Sequence, residues 1–233
     1  MNDIYLIRHT TPAVAKGICY GQTDLDVTES FSEEAEMILR SLPSGITAVY
    51  SSPLRRCTLL ADHLFPGVPL LLRPALMELH CGSWEMRGWD DLPKEEIDPW
   101  MEDFVHVRVP GGESYIDLYE RVLGCWEEIV AGAGDMRAGG KNGVEGSGSS
   151  GAGSHSGAAG AVAVIAHGGV IRSILSGITG TPLGDSFKVF PLHYGCVVRV
   201  RLQQGHPEYE MLWNRTPSEK EQHKPSSFYK KFT

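Results

Sequence analysis

Short apolar runs that end in charged or polar side chains are the feature that most constrains the fold of this chain. Four runs have the β-rich composition of buried strands, and they cover residues 4–7, 46–50, 161–166 and 196–202. Helical patterns lie between them, at about residues 32–42, 53–64, 114–130 and 170–177. Strands that alternate with helices predict a three-layer α/β/α sandwich with a mainly parallel central sheet.

Length and charge narrow the class of protein. The 233 residues suffice for one well-filled core, and we predict a single domain. A net charge of −8 argues against a nucleic-acid-binding protein, which would normally be basic. No apolar run is long enough to cross a bilayer, and the first strand leaves no room for a signal sequence. We therefore expect a cytoplasmic protein with neither a nucleic-acid nor a membrane partner.

One internal segment and the C-terminal end have a different composition. Gly, Ser and Ala dominate from about residue 131 to 160, where no apolar periodicity occurs. Such a segment cannot bury enough surface to offset its ordering entropy, so we predict a flexible insertion in which His155 is solvated. From about residue 213 the chain is rich in Lys, Pro and Ser, which predicts a loosely packed tail.

Three of the predicted strands lead into chemically active side chains. The first is followed by Arg8 and His9, and the third by His167. The second leads through two serines into a helix that carries Arg55 and Arg56. Ligands of open α/β sheets bind outside the carboxyl ends of the parallel strands. The sequence therefore predicts one cluster of arginines and histidines at that edge, which suits a tetrahedral phosphate.

A purely structural interpretation exists for each of these residues alone. A histidine after a strand is often a hydrogen-bonded rim residue, and an arginine in a first helical turn is often exposed. We assign that interpretation to Arg55. The others occupy matching positions in the strand–helix pattern, which favours a shared site.

The residues around these positions resemble a known family. Four motifs in this order, LIRHTTP, SSPLRRCTLLA, ELHCGSWE and AHGGVIR, resemble the histidine phosphatase superfamily, whose members are phosphoglycerate mutase-like. GICYGQTDLDV (residues 17–27) and PGGES (residues 110–114) resemble its α-ribazole phosphatase-like branch, which serves cobalamin synthesis. The resemblance implies a metal-independent and cofactor-independent phosphomonoesterase that acts through a phosphohistidine on a small-molecule phosphate monoester.

The resemblance also implies a role for individual residues. His9 matches the nucleophile that attacks phosphorus, and it must be neutral to do so. Arg8 and Arg56 match the arginines that clamp the phosphate oxygens, and His167 matches a second histidine that donates to the phosphoryl group. Glu78 matches the general acid, which must carry a proton when substrate arrives.

Other positions are assigned by the same motifs. Glu85 is the competing carboxylate, and a structural contact near Trp84 is its alternative role. The family's usual glycine after the nucleophile is replaced by Thr10, which either narrows the pocket or donates its hydroxyl. Further substrate contacts are implied at Tyr20, Gly21, Gln22 and Gly168.

The substrate implied by the nearest branch is α-ribazole 5'-phosphate, with Tyr20 and Trp84 as candidate stacking partners for its base. Residues 12–15 lack the polar groups of the mutase pattern, which argues against a phosphoglycerate mutase. A broad-specificity sugar or nucleotide phosphatase and a non-catalytic phosphate-binding module of the same fold are further alternatives.

No metal site is predicted. His80 and Cys81 could be combined with His63 or His106, but nothing in their spacing favours metal binding. The five cysteines are scattered without a C-x-x-C pair, which predicts reduced thiols. Monomer and homodimer are both compatible with the sequence.

Overall fold

The computed structural model describes residues 3–135, 160–202 and 207–215. Six strands in these ranges form one sheet. They are β1 (Asp3–Arg8), β2 (Ile46–Ser51), β3 (Leu70–Leu72), β4 (Ala161–Ala166), β5 (Val197–Arg201) and β6 (Glu208–Trp213). Their order across the sheet is β3-β2-β4-β1-β5-β6.

The central strands pair in parallel. β4 lies between β1 and β2, and β3 extends the parallel part beyond β2. β5 pairs antiparallel with β1, and β6 pairs antiparallel with β5. The prediction of a mainly parallel sheet is therefore confirmed. β1 and β4 are buried on both faces, which explains why each is a continuous apolar run without polar alternation.

Helices cover both faces of this sheet. They are α1 (Phe31–Arg40), α2 (Arg55–Leu64), α3 (Lys94–Glu102), α4 (Tyr115–Asp135), α5 (Gly168–Thr179) and α6 (Ser186–Val189). Successive side chains of β1 point to opposite faces, so Ile4 and Leu6 join the core under α4 and α5. Tyr5 and Ile7 join the core under α1 and α2. The three-layer prediction is confirmed, and none of the helices in the described ranges has the length and hydropathy to span a membrane.

Two predicted boundaries differ from the structure. α4, predicted to end near residue 130, continues to Asp135 because its apolar stripe extends through Ile129 and Ala133. At the start of the predicted loose tail, Asn214 accepts a hydrogen bond from the His193 N–H at 3.0 Å, and Arg215 pairs with Glu34. Residues 136–159, with His155, and residues 216–233 lie outside the described residues.

Candidate active site

His9 follows β1 directly and is almost completely buried. Its Nδ1 lies 2.7 Å from the carbonyl oxygen of Thr10. A carbonyl oxygen can only accept a hydrogen bond, so Nδ1 carries the proton and the lone pair of the neutral ring is on Nε2. The main chain is held on both sides, since the His9 N–H donates to the Ala166 carbonyl and its own carbonyl accepts from the Gly195 N–H, both at 3.0 Å. The structure thus holds His9 in the tautomer that a nucleophile requires.

His167 lies beside His9 because β1 and β4 are neighbours in the sheet. Arg8 pairs with Ala166 across the two strands, so the residues that follow each strand meet at the sheet edge. The ring centroids of the two histidines are 5.0 Å apart. Burial, together with the charges of Arg56 and Arg8 and the neighbouring His9, holds the pKa of His167 well below its usual 6.5. His167 is therefore neutral, and its Nε2 lies 2.8 Å from the hydroxyl of Ser52.

Arg56 is fully buried in the first turn of α2. Its Nη1 and Nη2 donate to the carbonyl oxygens of Thr23 and Gly21, each at 2.8 Å. Its neighbour Arg55 points to solvent and pairs with Asp26 at 3.3 Å, so the prediction that Arg55 is a surface residue is confirmed. Adjacent helical residues lie on different faces, and only Arg56 faces the sheet edge.

Arg8 is the last residue of β1 and directly precedes His9. Its Nη1 donates to the Leu192 carbonyl at 2.7 Å, and its guanidinium carbon lies 4.1 Å from the centre of the Tyr194 ring. The same ring is 5.3 Å from that of His9. Tyr194 therefore fixes Arg8 against the histidine and is a site residue that the sequence analysis missed.

The two aromatic residues considered as stacking partners have other contacts. Tyr20 is buried, with its hydroxyl 2.6 Å from that of Tyr194 and its ring 5.4 Å from the Arg56 guanidinium. Burial raises the pKa of the Tyr20 hydroxyl. Trp84 is fully buried and donates to Glu96 at 2.7 Å, so the suggestion that it stacks on a substrate base is wrong. The Tyr20 ring therefore packs near the Arg56 guanidinium and helps to hold it in place.

Glu78 reaches the start of α5. Its Oε2 accepts a hydrogen bond from the Gly169 N–H at 3.1 Å, and its Oε1 accepts from the Leu79 N–H at 2.9 Å. A Cβ atom at Gly169 would collide with this carboxylate, so the glycine is needed for the approach. A Cβ atom at Gly168 would lie 3.3 Å from the Arg8 guanidinium carbon. Both glycines of the AHGGVIR motif thus let charged groups come close to His167.

Glu85 has a different environment, in which it binds the loop that holds Arg56. Its carboxylate accepts from the Gln22 N–H at 2.8 Å, from the Cys81 N–H at 3.2 Å, and from the Thr23 hydroxyl. The Gln22 side chain donates to the carbonyl of Glu78 at 2.9 Å. Gly21, at a φ of +39°, passes so close that a Cβ atom would lie 2.6 Å from Glu85 Oε1. Gly21 and Gln22 thus help to hold the side chain of Arg56 and the main chain of Glu78 in place.

Three buried polar atoms at this site make no hydrogen bond with any described residue. They are Thr10 Oγ1, Arg56 Nε and His167 Nδ1. Buried polar atoms are nearly always paired, and leaving one unpaired costs about 1–3 kcal/mol. Thr10 follows His9 in the chain, the charges of Arg56 and Arg8 act on His167, and buried donors beside two arginines are what a tetrahedral anion would satisfy. In the described part of the chain, no group of His, Cys, Asp and Glu side chains has the arrangement of a metal site.

The family comparison agrees with this arrangement. The model of the histidine phosphatase superfamily (branch 1) matches residues 4–138 and 152–215. The match includes every residue of the site described above. The chain belongs to the histidine phosphatase superfamily.

Individual relatives carry several names. A protein from Escherichia fergusonii, named "Probable phosphoglycerate mutase GpmB", is 35% identical over 130 residues, which are 52% of this chain and 60% of that protein. The matched region thus spans less than two thirds of the curated relative. The α-ribazole phosphatase from Shigella flexneri has a TM-score of 0.71 at 21% identity, covering 90% of this chain and 95% of that one. A mycobacterial glucosyl-3-phosphoglycerate phosphatase has a TM-score of 0.69 at 19% identity, with coverage of 92% and 99%.

Proposed function

We propose that this protein hydrolyses phosphate monoesters through a phosphohistidine on His9. The observation that carries the proposal is the hydrogen bond from His9 Nδ1 to the Thr10 carbonyl, which places the lone pair on Nε2. Thr10 follows that histidine and the His167 ring lies 5.0 Å from it, and Thr10 Oγ1, Arg56 Nε and His167 Nδ1 are buried without a hydrogen bond to any described residue. A histidine with a lone pair on one ring nitrogen and arginines nearby is the arrangement that phosphoryl transfer needs.

The reaction has two displacements. His9 Nε2 forms a bond to phosphorus while the ester P–O bond breaks, and Glu78 gives its proton to the leaving oxygen. Glu78 then removes a proton from a water molecule, whose oxygen attacks phosphorus and releases inorganic phosphate and free His9. Arg8 and Arg56 stabilise the negative charge on the phosphoryl oxygens in both transition states. His167 is neutral. If its Nε2 accepts from the Ser52 hydroxyl, its Nδ1 carries the proton and donates to the phosphoryl group.

The mechanism is tested by trapping the intermediate. We expect wild-type protein quenched during turnover of p-nitrophenyl phosphate to carry an acid-labile phosphate on His9, and H9A to carry none and to lose turnover. H106N is the matched control, because His106 is exposed and, among the described residues, its side chain pairs with Asp103 near the surface. Turnover retained by H9A, or complete loss of wild-type activity in EDTA, would contradict the proposal and favour a metallohydrolase.

For the substrate, we propose α-ribazole 5'-phosphate and hence a role in cobalamin synthesis. Support comes from the GICYGQTDLDV and PGGES stretches, which resemble the α-ribazole phosphatase-like branch. The measurement is kcat/KM for this ester beside 3-phosphoglycerate, fructose phosphates and nucleoside monophosphates. A clear preference for another ester would overturn the substrate and leave the phosphatase proposal in place, and similar values for all would indicate a broad phosphatase.

A phosphoglycerate mutase is the second candidate, because the curated relatives carry that name at up to 35% identity. A mutase returns the phosphoryl group to the substrate, whereas a phosphatase transfers it to water. Incubation with 3-phosphoglycerate separates the two, since a mutase yields 2-phosphoglycerate without inorganic phosphate. Binding of vanadate without turnover of any ester would instead indicate a non-catalytic module.

A further inference from the structure

The PGGES stretch (residues 110–114) packs against the segment that carries Glu78. The Glu113 N–H donates to the His80 carbonyl at 2.9 Å, and the Ser83 N–H donates to the Pro110 carbonyl at 2.9 Å. A Cβ atom at Gly112 would collide with the His80 carbonyl, so a glycine is needed there. The two segments meet backbone to backbone, which fixes one relative to the other.

Arg121 on α4 completes this contact with five hydrogen bonds. Its Nε and Nη2 donate to the two carboxylate oxygens of Glu113, at 2.8 and 2.9 Å. Its Nη1 donates to the carbonyls of Ala75 and Met77, at 2.7 and 2.8 Å. Its Nη2 also donates to the carbonyl of Glu78 at 2.8 Å. One guanidinium thus binds the main chain at Glu78 and just before it.

Both charges of this pair are well compensated. Their side chains are only 22% and 21% exposed, so solvent screens them weakly. Burial acts to raise the pKa of Glu113, but hydrogen bonds from Arg121 and from the His80 N–H lower it below its usual value. A bidentate arginine–carboxylate pair is also geometrically specific. The pair is therefore a rigid support for the segment that follows it.

We propose that the Arg121–Glu113 pair positions the carboxyl group of Glu78 for proton transfer to the leaving oxygen. This inference rests on the proposed function, in which Glu78 is the general acid. Arg121 is a positioning residue, because its described contacts are with main-chain carbonyls and Glu113. A displacement of about 1 Å at a reacting group can cost on the order of 100-fold in rate. Loss of the pair should therefore reduce the proton-transfer contribution and leave the nucleophile intact.

Leaving-group dependence separates positioning from simple support of the fold. Nitrophenolate leaves without protonation, whereas an alkoxide requires it. We expect R121Q to lower kcat/KM, which reports the first displacement and not the later attack of water, by roughly 10- to 100-fold on an alkyl phosphate and by no more than about threefold on p-nitrophenyl phosphate. R108Q is the matched control, because Arg108 contacts the same loop, through Asp117 and the Gly112 carbonyl at 3.4 Å, but is 64% exposed and has no described contact with the Glu78 segment. Equal losses on both esters in R121Q would overturn the proposal.

A double-mutant cycle provides the second readout. If Arg121 acts through Glu78, R121Q in an E78Q background should cause little further loss on the alkyl ester. Additive losses would overturn the proposal. R121K should recover only part of the activity that R121Q loses. Its ammonium keeps the charge but reaches fewer of the carbonyls that Arg121 binds. If R121Q fails to fold, E113Q serves the same test, because it removes the charge that holds Arg121.

Phosphohistidine trapping distinguishes failure of this inference from failure of the proposed function. R121Q should still form the intermediate from p-nitrophenyl phosphate, because His9 and its arginines are untouched. If wild-type protein forms no intermediate, the proposed function itself fails. If wild type and R121Q both form it but the cycle is additive, only the positioning role fails.

Discussion

Glu34 accepts hydrogen bonds from both the main-chain N–H and the hydroxyl of Thr11, at 2.8 and 2.7 Å. Its carboxylate also accepts from the Ser30 hydroxyl at 2.7 Å and pairs with Arg215 at 2.5 Å. Burial acts to raise the pKa of Glu34, but the bonds from Thr11 and Ser30 and the charge of Arg215 bring it below its usual 4.5. One buried carboxylate on α1 therefore holds the loop that follows His9.

E34Q should lower the free energy of unfolding at pH 7 by about 1–3 kcal/mol, because it removes the negative charge and replaces one of the two acceptor oxygens by a donor. The folded pKa is depressed, so the contribution of Glu34 is present above pH 4.5 and disappears as the pH falls through the folded value. Urea titrations at a series of pH values from 7 downward would show a wild-type advantage that shrinks as the pH falls below 4.5. E33Q is the control, since Glu33 is exposed; a pH-independent difference would contradict this account.

T10V should change two quantities in opposite directions: the stability of the protein without ligand should rise, and its affinity for phosphate should fall. The Thr10 hydroxyl is buried and makes no hydrogen bond with described residues, so its removal should raise the unfolding free energy by about 1 kcal/mol. If the hydroxyl donates to the phosphoryl group, vanadate should bind about tenfold more weakly to T10V. Thermal melts and inhibition by vanadate measure the two effects, and T10S is the conservative control. Unchanged vanadate affinity would leave steric narrowing as the role of Thr10.

The depressed pKa of His167 predicts a loss of stability in acid. The unfolded chain binds a proton near pH 6.5 that the folded site excludes, so stability falls as the pH drops below 6.5. The slope from this one group is at most about 1.4 kcal/mol per pH unit. H167Q should show a correspondingly shallower decline between pH 6.5 and 5 in denaturant titrations. Parallel wild-type and H167Q curves would mean that His167 titrates normally in the folded protein.

Substitution of Arg56 should reduce activity and stability, whereas substitution of its neighbour Arg55 should change neither. R56Q should lower kcat/KM by on the order of 100- to 1000-fold, because the buried guanidinium that we propose to bind the phosphoryl group is lost. It should also destabilise the fold, because the Thr23 and Gly21 carbonyls lose their donors. R55Q removes only an exposed ion pair and should change neither quantity measurably. Similar losses at both positions would contradict the assignment.

Glu78 and Glu85 should differ in the kind of activity that they affect. E78Q should lower kcat/KM, which reports the first displacement, strongly for alkyl phosphates and weakly for p-nitrophenyl phosphate, as a proton donor requires. E85Q should lower stability, because Glu85 holds the 21–23 loop, and should affect both esters alike. A leaving-group series for both variants makes the comparison. Equal losses for both ester types in E78Q would count against its role as an acid.

Local sequence pattern was sufficient for the centre of the site. A side chain that follows a buried parallel strand must lie at the carboxyl edge of the sheet, so Arg8, His9 and His167 could be placed together in advance. The long apolar stripe of α4 was equally predictable, although its end was not. β3 and β6 escaped prediction because a three-residue strand and an edge strand carry little periodic signal of their own.

The tertiary structure alone decided which polar groups hold that centre in place. Glu34 meets Thr11, and Arg121 meets the Glu78 main chain, across 23 and 43 residues of sequence. The tertiary structure also determined that Trp84 lies in the core and that the Tyr20 ring packs near the Arg56 guanidinium. Strand and helix periodicity is written in neighbouring residues, whereas a hydrogen bond between distant residues exists only once the packed layers set its distance and exclude water.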